Sequence, residues 1–150
     1  RVGQAAVDQD VLVLDGQGWS EVIDALRQEA GWVRPAVDLG KKRLLPETGL
    51  EQVVVSYTKG CYLGQEMMAR MHAIGKARRQ AVTVRKPGEG KVEVPADLYA
   101  GKRRIGTLKS LVMDEEGGLG IAIINESGIS FLEKDGLALG GPEGEKITLP

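Results

Sequence analysis

The feature that most constrains the fold is a change of texture after Gly75. Six short β-rich runs follow it: RQAVTVR (79–85), KVEV (91–94), RRIGTLKSLVM (103–113), LGIAII (119–124), GISFL (128–132) and KITL (146–149). KPGEGK (86–91) and DEEGG (114–118) separate them with strong turn signals. Short strands at this spacing have few ways to bury their apolar faces. A small antiparallel β-barrel or a sandwich is the expected solution.

Ahead of Gly75 the pattern is mixed. RVGQAAVDQD (1–10) shows no clear element, and DVLVLDG (10–16) reads as a strand ending in a turn. Ser20 suits a helix N-cap. Val22, Ile23, Leu26 and Ala30 then fall on one helical face, and Gly31 ends the helix. Residues 39–52 read as loop, because Pro46 and Gly49 interrupt a polar stretch, and VVVSY (53–57) reads as extended. Leu63, Met67, Met71 and Ile74 form a second helical stripe closed by Gly75, with Met67, Met68 and Met71 expected in the core. The fold class is therefore α+β. A boundary near residue 76 separates a mixed helix-and-strand portion, 1–76, from the β-rich portion, 77–150.

At 150 residues the chain suits one ordinary domain or two small ones. A formal net charge of -1 gives no electrostatic case for nucleic acid or an anionic membrane as the main partner. No apolar run approaches the ~18 residues of a membrane-spanning helix. A single cysteine cannot form an internal disulfide and no secretory signal is visible, so a cytoplasmic setting is expected. The chain opens on Arg1 rather than methionine, which suggests further sequence upstream.

Several familiar motifs fail on chemistry. LPETG (45–49) spells a sortase signal, but about a hundred residues follow it where a hydrophobic tail and basic end are required. DGQGWSE (15–21) begins like a dinucleotide fingerprint. It then puts Glu21 where a carboxylate would oppose a bound pyrophosphate. One cysteine and one histidine cannot supply a standard zinc site or the four thiolates of an iron–sulfur cluster. Cys61 with His72 is the one candidate thiol–imidazole pair, and His72 lies off the Leu63/Met67/Met71 face.

The segment SYTKGCYLGQEMMARM (56–71) concentrates what remains. Cys61 stands between Gly60 and Gly64 in a linker that leads into a helix. Free backbone N–H groups at the helix start and the Lys59 ammonium would stabilise a thiolate. The glycines permit tight backbone and close approach of a ligand. Glu66 and Arg70, four apart, can pair along the helix or stand at a pocket rim. The same pattern also suits a buried structural cysteine in a tight turn.

KGCYLGQE (59–66) closely resembles the K-G-C-Y-x-G-Q-E signature of the YgfZ family of folate-binding proteins, relatives of the glycine-cleavage T-protein, an aminomethyltransferase. Arg70 fits the family's following A-R step. GKARR (75–79) fits its glycine-then-basic entry into the last domain through Arg79, and LRQEAG (26–31) fits R-x-E-A-G through Arg27, Glu29, Ala30 and Gly31. The resemblance covers about residues 26–80.

It implies the C-terminal part of a T-protein-like folate-binding α/β region followed by a β-barrel, in a protein roughly twice this length. The implied cofactor is tetrahydrofolate, and the implied partners are iron–sulfur client proteins in cluster assembly or repair. The missing N-terminal half, or another chain, would pack on an apolar surface left exposed here. Cys61 and Lys59 would carry the chemistry. Lys59, Tyr62, Gln65, Glu66 and Arg70 would hold folate. An aminomethyltransferase-like transfer of one-carbon units to tetrahydrofolate, or a non-catalytic interaction domain, are the alternative roles, and whether the protein is an enzyme stays open.

Overall fold

Strand Gly117–Asn125 organises the molecule, because eight of its nine residues are buried. A strand covered on both faces reads as a continuous apolar run, and LGIAII is one. A computed structural model describes residues 6–8, 11–13, 19–40, 45–75, 77–114 and 116–149. In chain order its elements are strands β1 (Ala6–Asp8) and β2 (Val11–Val13), helix α1 (Trp19–Glu29), a π-helical turn (Pro35–Leu39) and a 3-10 turn (Leu45–Thr48). Helices α2 (Glu51–Val54) and α3 (Gln65–Ile74) follow. The second half contains β3 (Arg79–Pro87), β4 (Ala96–Ala100), β5 (Arg103–Asp114), β6 (Gly117–Asn125), α4 (Glu126–Asp135), β7 (Leu137–Leu139) and β8 (Glu145–Ile147).

The six later strands form one antiparallel sheet in the order β3-β6-β5-β4-β7-β8. It curls into a half-barrel. Its two edge strands approach where Arg85 and Thr148 exchange backbone hydrogen bonds of 2.8 and 2.9 Å. Beside that bridge the buried Lys86 ammonium meets Glu145 Oε1 at 2.7 Å. The expected small barrel or sandwich is thus a single curled sheet whose edges meet at the Arg85–Thr148 bridge. Its concave side holds the main core: Val84, Leu98, Ile105, Leu108, Ala122, Ile124, Leu137, Leu139 and Ile147.

Ile121 and Ile123 point the other way, where Val33, Leu39, Leu50 and Ala81 cover them. The segment after α1 is therefore fastened to the back of the sheet. Asp38 completes that attachment. It is fully buried, and its Oδ2 accepts from Arg27 Nη1 and from the Arg34 backbone N–H, both at 2.6 Å. Its Oδ1 accepts from Ser110 Oγ at 2.6 Å, across to β5. A buried carboxylate is tolerable only when its charge and lone pairs are met in this way.

Several expectations need correction. GISFL is helix, not strand: Ile129 and Leu132, three apart, pack with Phe131 against the main core from α4. KVEV is coil, because Pro95 lacks the donor a ladder needs and β4 begins only at Ala96. Val53 and Val54 sit in α2 with N–H groups on the Leu50 carbonyl, so local helical bonds prevail where no strand is available to pair. The 39–52 region contains helical turns as well as loop, with 41–44 outside the described residues.

The first ten residues do contain an element, since β1 pairs antiparallel with β2. Only Val11–Val13 of the expected 10–16 strand is described as strand; residues 10 and 14–16 lie outside the described residues. Ser20 lies inside α1 rather than capping it. On that helix Gln28 is buried while Ile23 and Leu26 stay exposed, so the apolar stripe does not face the sheet. Met67 is exposed, Met68 and Met71 are half-buried, and none joins either core cluster.

Candidate functional site

The motif loop is built by short-range hydrogen bonds. The Lys59 N–H donates to Ser56 Oγ (3.2 Å), and the Gln65 N–H donates to the Tyr62 carbonyl (3.2 Å). Gly64 precedes α3 with φ +88, a left-handed conformation that suits glycine, while Gly60 has no positive φ. No side chain caps this helix start, and Gly75 closes the far end in the same left-handed conformation.

Cys61 is a free, exposed thiol in this loop. The buried-turn alternative does not describe its state here. The Lys59 ammonium lies 4.7 Å from the centroid of the Tyr62 ring, a cation–π distance, so its observed partner is the aromatic face. The Tyr62 hydroxyl is buried and has no hydrogen-bond partner among the described residues. Gln65 is half-buried at the first turn of α3. Glu66 and Arg70 pair at 3.2 Å on the exposed side of that helix. Lys59, Cys61 and Tyr62 thus share one loop, and Glu66 and Arg70 form a separate solvent-facing pair.

None of these six residues lines the cavity of about 570 Å³ that opens where α2, α3, β3 and α4 meet. Its polar groups include Glu51, Tyr57 and His72, two of which sequence reasoning did not single out. The Tyr57 hydroxyl donates to Glu51 Oε1 in a very short bond. His72 Nδ1 lies 3.1 Å from the same oxygen, and the Tyr57 and His72 rings stack with centroids 4.1 Å apart. Burial, followed by the Glu51 hydrogen bond and charge, pushes the Tyr57 hydroxyl up to about 12. His72 therefore belongs to Glu51 and Tyr57, and no Cys61–His72 bond occurs among the described residues. No local spacing announced this cluster: Glu51 precedes and Tyr57 ends a run that reads as strand, and His72 is 21 residues beyond Glu51.

A folate ligand can be tested against this geometry. Lys59 and Arg70 offer cations for carboxylates, Gln65 and Glu66 offer edges for a polar heterocycle, and the orphaned Tyr62 hydroxyl has hydrogen-bonding capacity to spare. These groups lie on an open loop and helix surface. They fit one wall of such a site and do not enclose it. Among the described residues no group of three or more His, Cys, Asp or Glu is arranged to hold a metal ion. No helix among them is long and apolar enough to cross a membrane.

No family model matches the chain. Among curated proteins it is similar to the human iron–sulfur cluster assembly factor IBA57, mitochondrial, with 31% identity over 99 residues. The match spans 63% of this chain and 26% of that protein, about a quarter of the relative's length. This likeness supports the family resemblance carried by KGCYLGQE.

Proposed function

We propose that the chain is part of a tetrahydrofolate-dependent accessory protein for iron–sulfur cluster assembly or repair, acting through Cys61 in a reducing compartment such as the cytoplasm. The observation that carries this reading is the exposed, glycine-framed thiol ahead of α3. The named role of the relative agrees with it. A lone sulfur can bridge, exchange or attack, but needs other ligands to hold a cluster. In this reading Lys59 and Tyr62 position the loop, and Gln65, Glu66 and Arg70 form one wall for folate. The remaining wall comes from the rest of a longer protein or from a partner chain.

Among the described residues, nine of the twelve exposed large apolar side chains lie before residue 75, including Trp32, Val53, Leu63 and Met67, and they offer the surface for that contact. The test is complementation of cells that lack the protein, reading the activity of iron–sulfur enzymes. Cys61→Ser in the full protein is expected to lower that activity at least several-fold at unchanged protein level. Wild-type activity with Cys61→Ser would overturn the proposal.

A further inference from the structure

A second concavity lies on the back of the curled sheet, on strands rather than on the motif loop. It has a volume of about 270 Å³ and is lined by Arg79, Arg104, Thr107, Lys109 and Asn125 over a floor of Gly106 and Ile123. The register explains the convergence. Arg79 at the start of β3 stands opposite Asn125 at the end of β6, and Thr107 of β5 stands opposite Ile123. The β5–β6 pairing shifts between Leu108 and Ser110, so Lys109 is the extra residue of a bulge. Such a bulge re-aims side chains.

Three cations meet here with one acid paired to them among the described residues. Arg104 Nη2 pairs with Asp97 Oδ1 at 2.7 Å and lies 3.3 Å from Thr107 Oγ1. Arg79 and Lys109 have no ion pair among the described residues. Asn125 occupies the N-cap position of α4 but makes no side-chain capping bond, so its amide is not committed to the helix. Like charges gathered around a concavity without neutralisation are unfavourable unless an anion joins them. The lining has no aromatic ring on which a base could stack. Its volume falls just below the ~300 Å³ at which sites for drug-sized ligands begin.

We infer that this cleft binds an oxyanion group, the phosphate or carboxylate end of a small ligand. The guanidinium of Arg79 would take two oxygens side by side, with the Lys109 ammonium as a point charge and Asn125 and Thr107 as neutral donors. This inference is independent of the Cys61 proposal, since it shares no residue with the motif loop.

The test is an amide NMR titration of the whole chain with inorganic phosphate, pyrophosphate and citrate at constant ionic strength, with chloride as control. Saturable shifts confined to Arg79, Thr107, Lys109 and Asn125 are expected, absent with chloride. The double variant Arg79→Gln, Lys109→Gln is expected to weaken the affinity at least tenfold with an otherwise unchanged spectrum. Lys109→Gln alone, also spectrally native, should weaken it several-fold. Tighter pyrophosphate than citrate identifies a phosphoryl ligand, and the reverse identifies a carboxylate. Shifts equal to those in chloride, no saturation with any probe, or full affinity in the double variant would overturn the inference.

Discussion

Cys61 and Tyr57 are four residues apart and face different chemistry. Cys61 was legible as a candidate because glycines and a lysine surround it, and the structure leaves its thiol open to reagents. Tyr57 was not legible, because its partners Glu51 and His72 come together only through the turn between α2 and α3. With a raised folded value against the usual 10.0, Tyr57 contributes stability that is complete below pH 10 and fades as pH rises through about 12. Ultraviolet titration should show a tyrosinate component near pH 12 that vanishes in Tyr57→Phe. If the high-pH component persists in that variant, the Glu51 bond is not its cause. Asp38 sets the second residue-scale expectation. Asp38→Ala removes the charge that Arg27 was buried against and should destabilise the chain by about 3–5 kcal/mol in urea unfolding. Ser110→Ala removes one hydrogen bond to the carboxylate and should cost about 1.5–3 kcal/mol.

Among the elements, those with strong periodicity and punctuation could be read in advance. Helix α3 with its Gly75 stop, and the hairpin from β5 through DEEGG to β6, match the sequence pattern. The short strands β4 and β7 were missed because their partners supply the order: Leu98 and Tyr99 pair with Leu139 and Ala138 in a ladder that no local signal specifies. Helix α4 was misread because Ile129 and Phe131 mimic strand composition, and only their docking on the main core separates the two periods. Close strand approach gives a further test. A Cβ at Gly106 would strike the Ile123 carbonyl oxygen across the β5–β6 pair. Gly106→Ala should therefore lower stability by about 1–3 kcal/mol, visible as a reduced thermal midpoint. An unchanged midpoint would mean that the two strands separate there at little cost.

For the whole molecule, the α+β class and the β-rich second half were legible, while the attachment of the first half to the back of the sheet was not. That attachment depends on Val33 and Leu39 meeting Ile121 and Ile123, pairs too distant in sequence for any periodicity to link. On the proposed reading the motif residues form one open wall of a folate site, so tetrahydrofolate should bind weakly or not at all to this chain and measurably to a longer form that completes the site. Calorimetric titration of both forms decides this, and equal binding would show that the wall provided here is sufficient.

The bond from Ser110 to Asp38 spans 72 residues, and it has a bearing on how the chain is made. At roughly 5–20 residues per second, a ribosome exposes Asp38 about 4–15 s before the hydroxyl that completes its ligand shell. During that interval Val33 and Leu39 also lack the strand they cover. Of the two segments, the one synthesised earlier thus settles later, once β5 and β6 have emerged to cover it.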